Sequence, residues 1–381
     1  MKQSKKFIKQ FHLPDLPILK KIFFTVTSDP HLDQRMQRIC TTLAENGYDI
    51  TLVGRKMFDS KGPAPKKFRQ IRINCWFNKG KIFYFEFNTR LSVYLLFKKM
   101  DAICAIDLDT IHPCYTISSL KKIPRVYDAH ELFTELIEVI NRPAIKKVWD
   151  AVEKRWLPKF KFGYTVSESI AEEFKKRYGV NYHTIRNVPV LNETEFLPVS
   201  EKFILYQGAV NEGRGLEYLV PVMKNVNCKL VICGDGNFMP QLKKLIAENN
   251  VGDKIELRGW TAPAKLREIS QQATIGIALA EKKGLNQWLA LPNKFFDYIH
   301  AALPQITMSY PEYKKINDLY NVAVLIDDLE PATISNAIND LLSNEIKRNE
   351  LKNNCVKARQ ELNWQKEEKK LIDFYKNVFA T

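Results

Sequence analysis

The chain lacks any uninterrupted apolar run near the ~18 residues of a membrane-spanning helix, so the sequence offers no candidate span. Its seven cysteines are odd in number and include no CxxC pair. That pattern argues against a disulfide framework or a zinc site and for reduced thiols in a cytoplasm. The opening stretch, "MKQSKKFIKQFHLPDLPILKKIFFTV", is basic, but it has no long apolar segment and no small-residue cleavage site. A secretory signal is therefore not expected. Zinc-finger spacing and an RNA-recognition aromatic motif are both missing, which leaves nucleic acid without a module to bind it. No complete GxGxxG follows a strand, which weighs against a dinucleotide oxidoreductase.

What the chain has in excess is positive charge. Its formal net charge is +15. Such a balance suits phosphorylated ligands or an anionic membrane surface, with general solubility as the plainer alternative. Lys2, Lys5, Lys6, Lys9, Lys20 and Lys21 surround Phe7, Ile8 and Phe11. This is a membrane-surface segment or a solvated basic tail.

At 381 residues two domains are expected. Short β-rich runs alternate with helical patterns: 21–26, 48–54, 102–106, 124–128 and 162–167 in the first half. The stretch 60–80 is irregular and rich in Lys, Gly and Pro. Near 187–202 two prolines interrupt the pattern, as in a linker. A second series follows at 203–208, 229–234, 254–259, 274–280, 305–309 and 322–327. This alternation predicts two parallel, doubly wound sheets, with ligands at the carboxyl ends of their strands. The expected domains are 1–190 and 203–362, with a cleft between them. The tail 363–381 carries Leu371, Phe374, Tyr375 and Val378 at helical spacing. It predicts a final amphipathic helix.

One helix start breaks a rule. In "ALPNKFFDYIHAALPQI" (290–306), Pro292 suits the first helical position, and Phe295, Ile299 and Ala302 share a face. Lys294 falls in the first turn, where the dipole prefers a negative charge. The choice is between a solvated lysine and a cation placed for an anion. Asp297, one turn on, is either its local partner or an acceptor for hydroxyl groups. Asn293 suits a cap. Gly208, Arg214 and Gly215 follow a strand; there a glycine turn, a helix start and a guanidinium suit phosphate, or form a plain turn with an exposed arginine. Gly234-Asp235-Gly236 is a weak candidate for an anion-cradling nest. "DLD" (107–109) has the form of a cation-binding pair.

The second half resembles the donor domain of GT-B-fold retaining glycosyltransferases of family four. The resemblance rests on "YQGAVNEGRGLEYLV", "VICGDGN", "IELRGW" and "LPNKFFDYIHAALPQITMSYPE". In the first half, "DPHLDQRMQRICTTLAENGYDITLVGR", "YDAHELF" and "VSESIAEEF" also look like that family. It implies two Rossmann-like domains, with the last helix crossing back onto the first. It also implies a nucleotide-diphosphate sugar as donor, no cofactor and no metal. Arg214 and Lys294 would then meet the diphosphate. Gly208, Gly215 and Gly234 would shape the donor loops. Arg258, Gly259 and Trp260 would stand by the base, through backbone contacts rather than the Trp260 ring, which is a candidate for the core. Asp297 would hold the ribose, in the place of the second acid of the family's E-x7-E motif. The first acid of that motif falls on Leu289, so Glu281, on the loop after "TIGIALA", is the candidate to replace it. His130 would meet the leaving phosphate or the acceptor, with Glu131 orienting it. Asp33, Arg35 and Asp107 would line the acceptor side. The expected partners are the donor and a glycan or lipid-linked acceptor, with an anionic membrane surface open and no nucleic acid. The expected place is the cytoplasm, with the inner face of a membrane open. A sugar-nucleotide epimerase of the same architecture and a non-catalytic nucleotide-sugar-binding protein are the rivals.

Overall fold

A computed structural model describes residues 19–57, 66–192 and 201–380. Lys2 to Phe11 and half of the expected linker, 193–200, lie outside the described residues.

The first sheet contains β1 (Lys21–Thr25), β2 (Asp49–Arg55), β3 (Arg69–Ile73), β4 (Ala102–Ile106), β5 (Arg125–Ala129), β6 (Phe162–Thr165) and β7 (His183–Thr184). Its order is β3-β2-β1-β4-β5-β6-β7. The second contains β8 (Phe203–Gln207), β9 (Lys229–Cys233), β10 (Ile255–Gly259), β11 (Ile275–Ala278), β12 (Gln305–Met308) and β13 (Ala323–Ile326), in the order β10-β9-β8-β11-β12-β13. Every pairing is parallel. The two sheets are thus Rossmann-like and doubly wound. Central strands such as "AICAI" and "FILYQ" are continuous apolar runs because helices cover both of their faces. The edge strand β3, "RQIRI", is half-polar and lies inside the stretch that looked irregular.

Each face of the first sheet has its own core. One lies under the helices Gly80–Leu96, Ile111–Lys121 and Glu168–Tyr178. The other lies under Gln34–Glu45 and the last helix, Trp364–Ala380. Leu371, Phe374, Tyr375 and Val378 bury their side chains there, and Trp364 Nε1 donates to Thr42 Oγ1 at 2.9 Å. The last helix therefore lies on the domain that opens the chain, not on the one that precedes it in sequence.

Direct bonds join the domains at the carboxyl ends of the two sheets. Leu132 N–H donates to Asn286 Oδ1 at 2.8 Å, and Ser167 Oγ donates to the Leu289 carbonyl at 2.8 Å. Ser169, by backbone N–H and hydroxyl, donates to the buried Glu312 carboxylate. Asn187 donates to Asn293 Oδ1 at 2.6 Å.

Candidate active site

Between the domains lies a cleft of about 530 Å³. Asp33, Arg35, His130, Glu131, Gly208, Arg214, Asn293, Lys294 and Asp297 line it. Candidate residues from both halves of the chain therefore meet in one space.

On the second domain, the turn after β8 carries Gly208 at φ +112, a conformation reserved for glycine. Lys294 packs beside it. The helix there is Asn293–His300, and Pro292 is its cap, so Pro292 does not take the first helical position expected for it. Its ring fixes φ, here −71°, and that value suits an extended cap as readily as the first turn. Phe295 and Ile299 are buried as expected, but Ala302 lies past the helix end at φ +52. Lys294 turns inward: its Nζ is shut off from solvent and has no hydrogen-bond partner among the described residues. It lies 3.6 Å from the centre of the Tyr206 ring. Burial, reinforced by the Arg214 charge, pushes this ammonium well below the usual lysine range; Asp297 opposes the shift.

Asp297 forms no ion pair with Lys294 among the described residues. It accepts from Gln207 Nε2 at 2.9 Å, and Gln207 Oε1 accepts from Ser270 Oγ at 2.7 Å. Burial raises the Asp297 carboxyl to about 6, against the pull of Arg38 and the Gln207 bond. Asn293 is exposed and belongs to the helix rather than capping it; its side chain reaches Asn187.

On the first domain the centre is a buried ion pair. Arg35 donates to Asp128 Oδ1 at 3.0 Å and to the Ile185 carbonyl at 3.1 Å. Both side chains are almost completely buried. Two of the guanidinium nitrogens of Arg35 thus fix Asp128 and the end of the first domain. Asp128 Oδ2 lies 3.3 Å from His130 Nε2. The His130 N–H donates to Asp107 Oδ1 at 2.9 Å, and Nδ1 lies 4.0 Å from Asp107 Oδ2. That is beyond hydrogen-bond range. Burial would lower His130, but Asp128 and Asp107 outweigh it and lift the imidazole to about 9. Burial pushes Asp107 up to about 8, despite His130. Burial raises Glu131 as well, against Arg214.

Several expected residues take other tasks. Asp33 caps the helix Gln34–Glu45 by accepting from Met36 N–H at 3.0 Å. Asp107 faces His130, while Asp109 accepts from the Thr27 hydroxyl, so "DLD" does not present its two carboxylates to one point. Gly234 serves close packing: a Cβ there would stand 1.8 Å from the Gly208 carbonyl oxygen. Gly215, at φ +81, lets the chain pass against Leu279, where a Cβ would come within 2.5 Å. Neither glycine lines the cleft. Glu281 also lies outside it, accepting from the Tyr218 hydroxyl at 2.7 Å. Arg258 donates to Glu256 at 2.7 Å at the end of β10, away from the cleft lining. Gly259, at φ +65, is followed by Trp260, which is 71% exposed, so the ring is not part of the core.

Sequence reasoning missed Asp128, Gln207 and Arg38. Asp128 and His130 stand two residues apart at a strand end, a spacing that puts both on one face. Arg35 and Arg38 share a helix face at i, i+3. Gln207, the last residue of β8, had no such signal.

Two doubly wound domains facing a cleft lined by Arg214 and Lys294 form the GT-B architecture. Residues 190–358 match the family described as Glycosyl transferases group 1, and residues 33–189 match Glycosyltransferase Family 4. The chain belongs to these GT-B glycosyltransferases. No curated protein matches the sequence. Among solved structures it is similar to a sucrose-phosphate synthase from Thermosynechococcus elongatus, with a TM-score of 0.80 at 16% identity, covering 95% of this chain and 99% of that one. It is also similar to Anabaena HepE in complex with UDP and glucose, with a TM-score of 0.72 at 11% identity over 94% and 99% of the chains. A third is an S. aureus TarM mutant in complex with Fondaparinux, alpha-GlcNAc-glycerol and UDP, with a TM-score of 0.70 at 12% identity over 95% and 100%. Among the described residues, no helix is long and apolar enough to cross a membrane.

Proposed function

We propose that the protein moves a hexose from a nucleotide-diphosphate sugar to a glycan or lipid-linked acceptor, with retention and without a metal, in the synthesis of a cell-surface polysaccharide or glycoconjugate. The observation that carries this reading is the Lys294 ammonium, closed off from water and unbonded beside Gly208 and Arg214. A cation so placed is costly until an anion reaches it. A diphosphate between Lys294 and Arg214 would remove that cost. In the step proposed, the acceptor oxygen bonds to the anomeric carbon on the face that the leaving phosphate vacates. The carbon–phosphate oxygen bond breaks, and the acceptor proton passes to the departing phosphate. The cations would stabilise the charge that builds on that group. His130 Nδ1, Glu131 and the cleft-facing edge of the first domain would meet the sugar and the acceptor. Contact with an anionic membrane surface at the inner face of a membrane belongs to the same proposal, because a lipid-linked acceptor resides there.

The test is incubation with a panel of labelled sugar nucleotides, with and without glycan and lipid-linked acceptors, and in EDTA. Acceptor-dependent transfer that survives EDTA and yields a product with the donor's anomeric configuration is expected. Strict dependence on an added divalent cation, an inverted product or free altered sugar without an acceptor would overturn the corresponding part. Nucleotide binding without turnover would leave a binding protein.

A further inference from the structure

The helix Gly80–Leu96 is apolar on two opposite faces. Phe83, Phe87, Leu91 and Leu95 recur every four residues and fill the core of the first domain. A second stripe, Ile82, Phe85, Val93 and Leu96, recurs at helical spacing on the outward side and is exposed. Trp76, 83% exposed, precedes the helix, and Phe97, 79% exposed, ends it. Scattered exposed apolar residues are ordinary; four on one helix face, interrupted only by Thr89 and flanked by aromatics at both ends, are not.

The charges around the row choose its partner. Lys79 and Lys81 are exposed at one end, Lys98 and Lys99 at the other. The sole carboxylate between residues 74 and 99 is Glu86. It is held inward by Trp76 and Phe77 N–H groups and by Arg90. The row therefore presents apolar side chains and aromatics between cations, with no free negative charge on its own helix. A second protein would need a complementary apolar ridge. A bilayer needs only what is here: rings at headgroup depth, aliphatic side chains below and lysines against anionic headgroups. The aromatic loop at Trp76 and Phe77 follows β3, so it lies at the carboxyl edge of the first sheet, the edge that also carries Asp107 and His130.

We infer that this outward face of Gly80–Leu96 docks on an anionic lipid surface, with the helix axis in the plane of the membrane. The inference names the surface for the membrane contact proposed above and rests on that reading for the class of partner alone. Vesicle binding needs no donor, so its failure leaves the reading of sugar transfer untouched.

The experiment is flotation of the full chain with vesicles of phosphatidylcholine plus phosphatidylglycerol, and with phosphatidylcholine alone. The protein should float with the anionic vesicles, less with the neutral ones, and less again in high salt. Phe85→Glu combined with Phe97→Glu should weaken binding by roughly tenfold or more. Both side chains are largely exposed, and thermal melts should be unchanged. Lys79→Glu with Lys81→Glu should weaken anionic binding without touching an apolar side chain. Absence of flotation overturns the inference. So does wild-type binding by both double variants, which would assign the membrane contact to other residues. A dimer of the wild-type chain that Phe85→Glu and Phe97→Glu dissolve, with no vesicle binding, would make the face an interface between copies and overturn it too.

Discussion

Lys294 Nζ sits 3.6 Å over the Tyr206 ring, whose hydroxyl is fixed by its bond to the Ala209 carbonyl at 2.9 Å. The ring face offers the cation a partial substitute for water. It leaves the three N–H bonds of the ammonium unspent. Lys294→Ala should therefore lower kcat by roughly 10²–10³, the scale of losing one preorganised donor. Thermal stability should hold or rise, because a cation that opposes the helix dipole is gone. Arg214→Ala should behave alike, and the double variant should fall short of additivity if both act on one phosphate group. Steady-state kinetics and melts decide this; full activity in Lys294→Ala ends the assignment.

The same lysine sets an alkaline pH dependence. Its folded value lies well below the ordinary lysine value of about 10.4. Between the two, the unfolded chain holds the proton and the folded chain has released it. Stability should rise with pH through that window. Lys294→Met should lose the rise, and a saturating nucleoside diphosphate should flatten it by holding the proton on the ammonium. Urea melts across the alkaline range measure this. A flat wild-type profile without ligand would contradict it.

His130 has the opposite sign. Its folded value is lifted to about 9, because Asp128 and Asp107 outweigh burial. The stabilisation is complete below the ordinary histidine value of about 6.5 and is lost as pH climbs through the folded value. His130→Gln should cost stability in mild acid and little above the folded value. Equal costs at both ends would show that the ring acts through packing rather than charge.

Asp297 keeps one carboxylate oxygen on Gln207 and lines the cleft with the rest. If it accepts from ribose hydroxyls, Asp297→Ala should weaken nucleoside diphosphate binding by about 1.5–3 kcal/mol. The wild-type affinity should fall as pH drops through about 6, where the carboxylate takes up a proton. Calorimetry at two pH values tests both parts. An affinity indifferent to the substitution excludes the ribose contact.

Gly234 separates packing from ligand binding. A methyl group there meets the Gly208 carbonyl at 1.8 Å, so one of the two turns must move. Gly234→Ala should cost about 1–3 kcal/mol or more of stability. Gly259→Ala meets no neighbouring atom but keeps a φ of +65, and should cost about 1–2 kcal/mol from backbone strain alone. A Gly234→Ala chain as stable as the parent would show that the two turns do not depend on their close approach.

The two parallel sheets were legible along the chain because their central strands are apolar runs set between amphipathic helices, and that alternation is a local signal. The edge strand β3 was not, since "RQIRI" is half-polar and half-covered. Lys294 was also legible, as a cation at the wrong end of a helix. What it faces was not: Tyr206 lies far away in sequence and reaches it because β8 and the helix Asn293–His300 pack together. The same holds for Asp128. "YDAHELF" marks a histidine after a strand, but only the fold carries Arg35 across 93 residues to pin the aspartate that holds it. Glu281 and Trp260 show what order along the chain leaves out: the fold seats Glu281 against the Tyr218 hydroxyl and leaves the Trp260 ring in solvent, and neither placement is announced by their sequence neighbours. Periodicity and turn chemistry act between near neighbours, so the sequence determines the elements and their kinds. Burial, pairing of charges and the protonation they impose arise between distant residues, and the tertiary structure alone decides them.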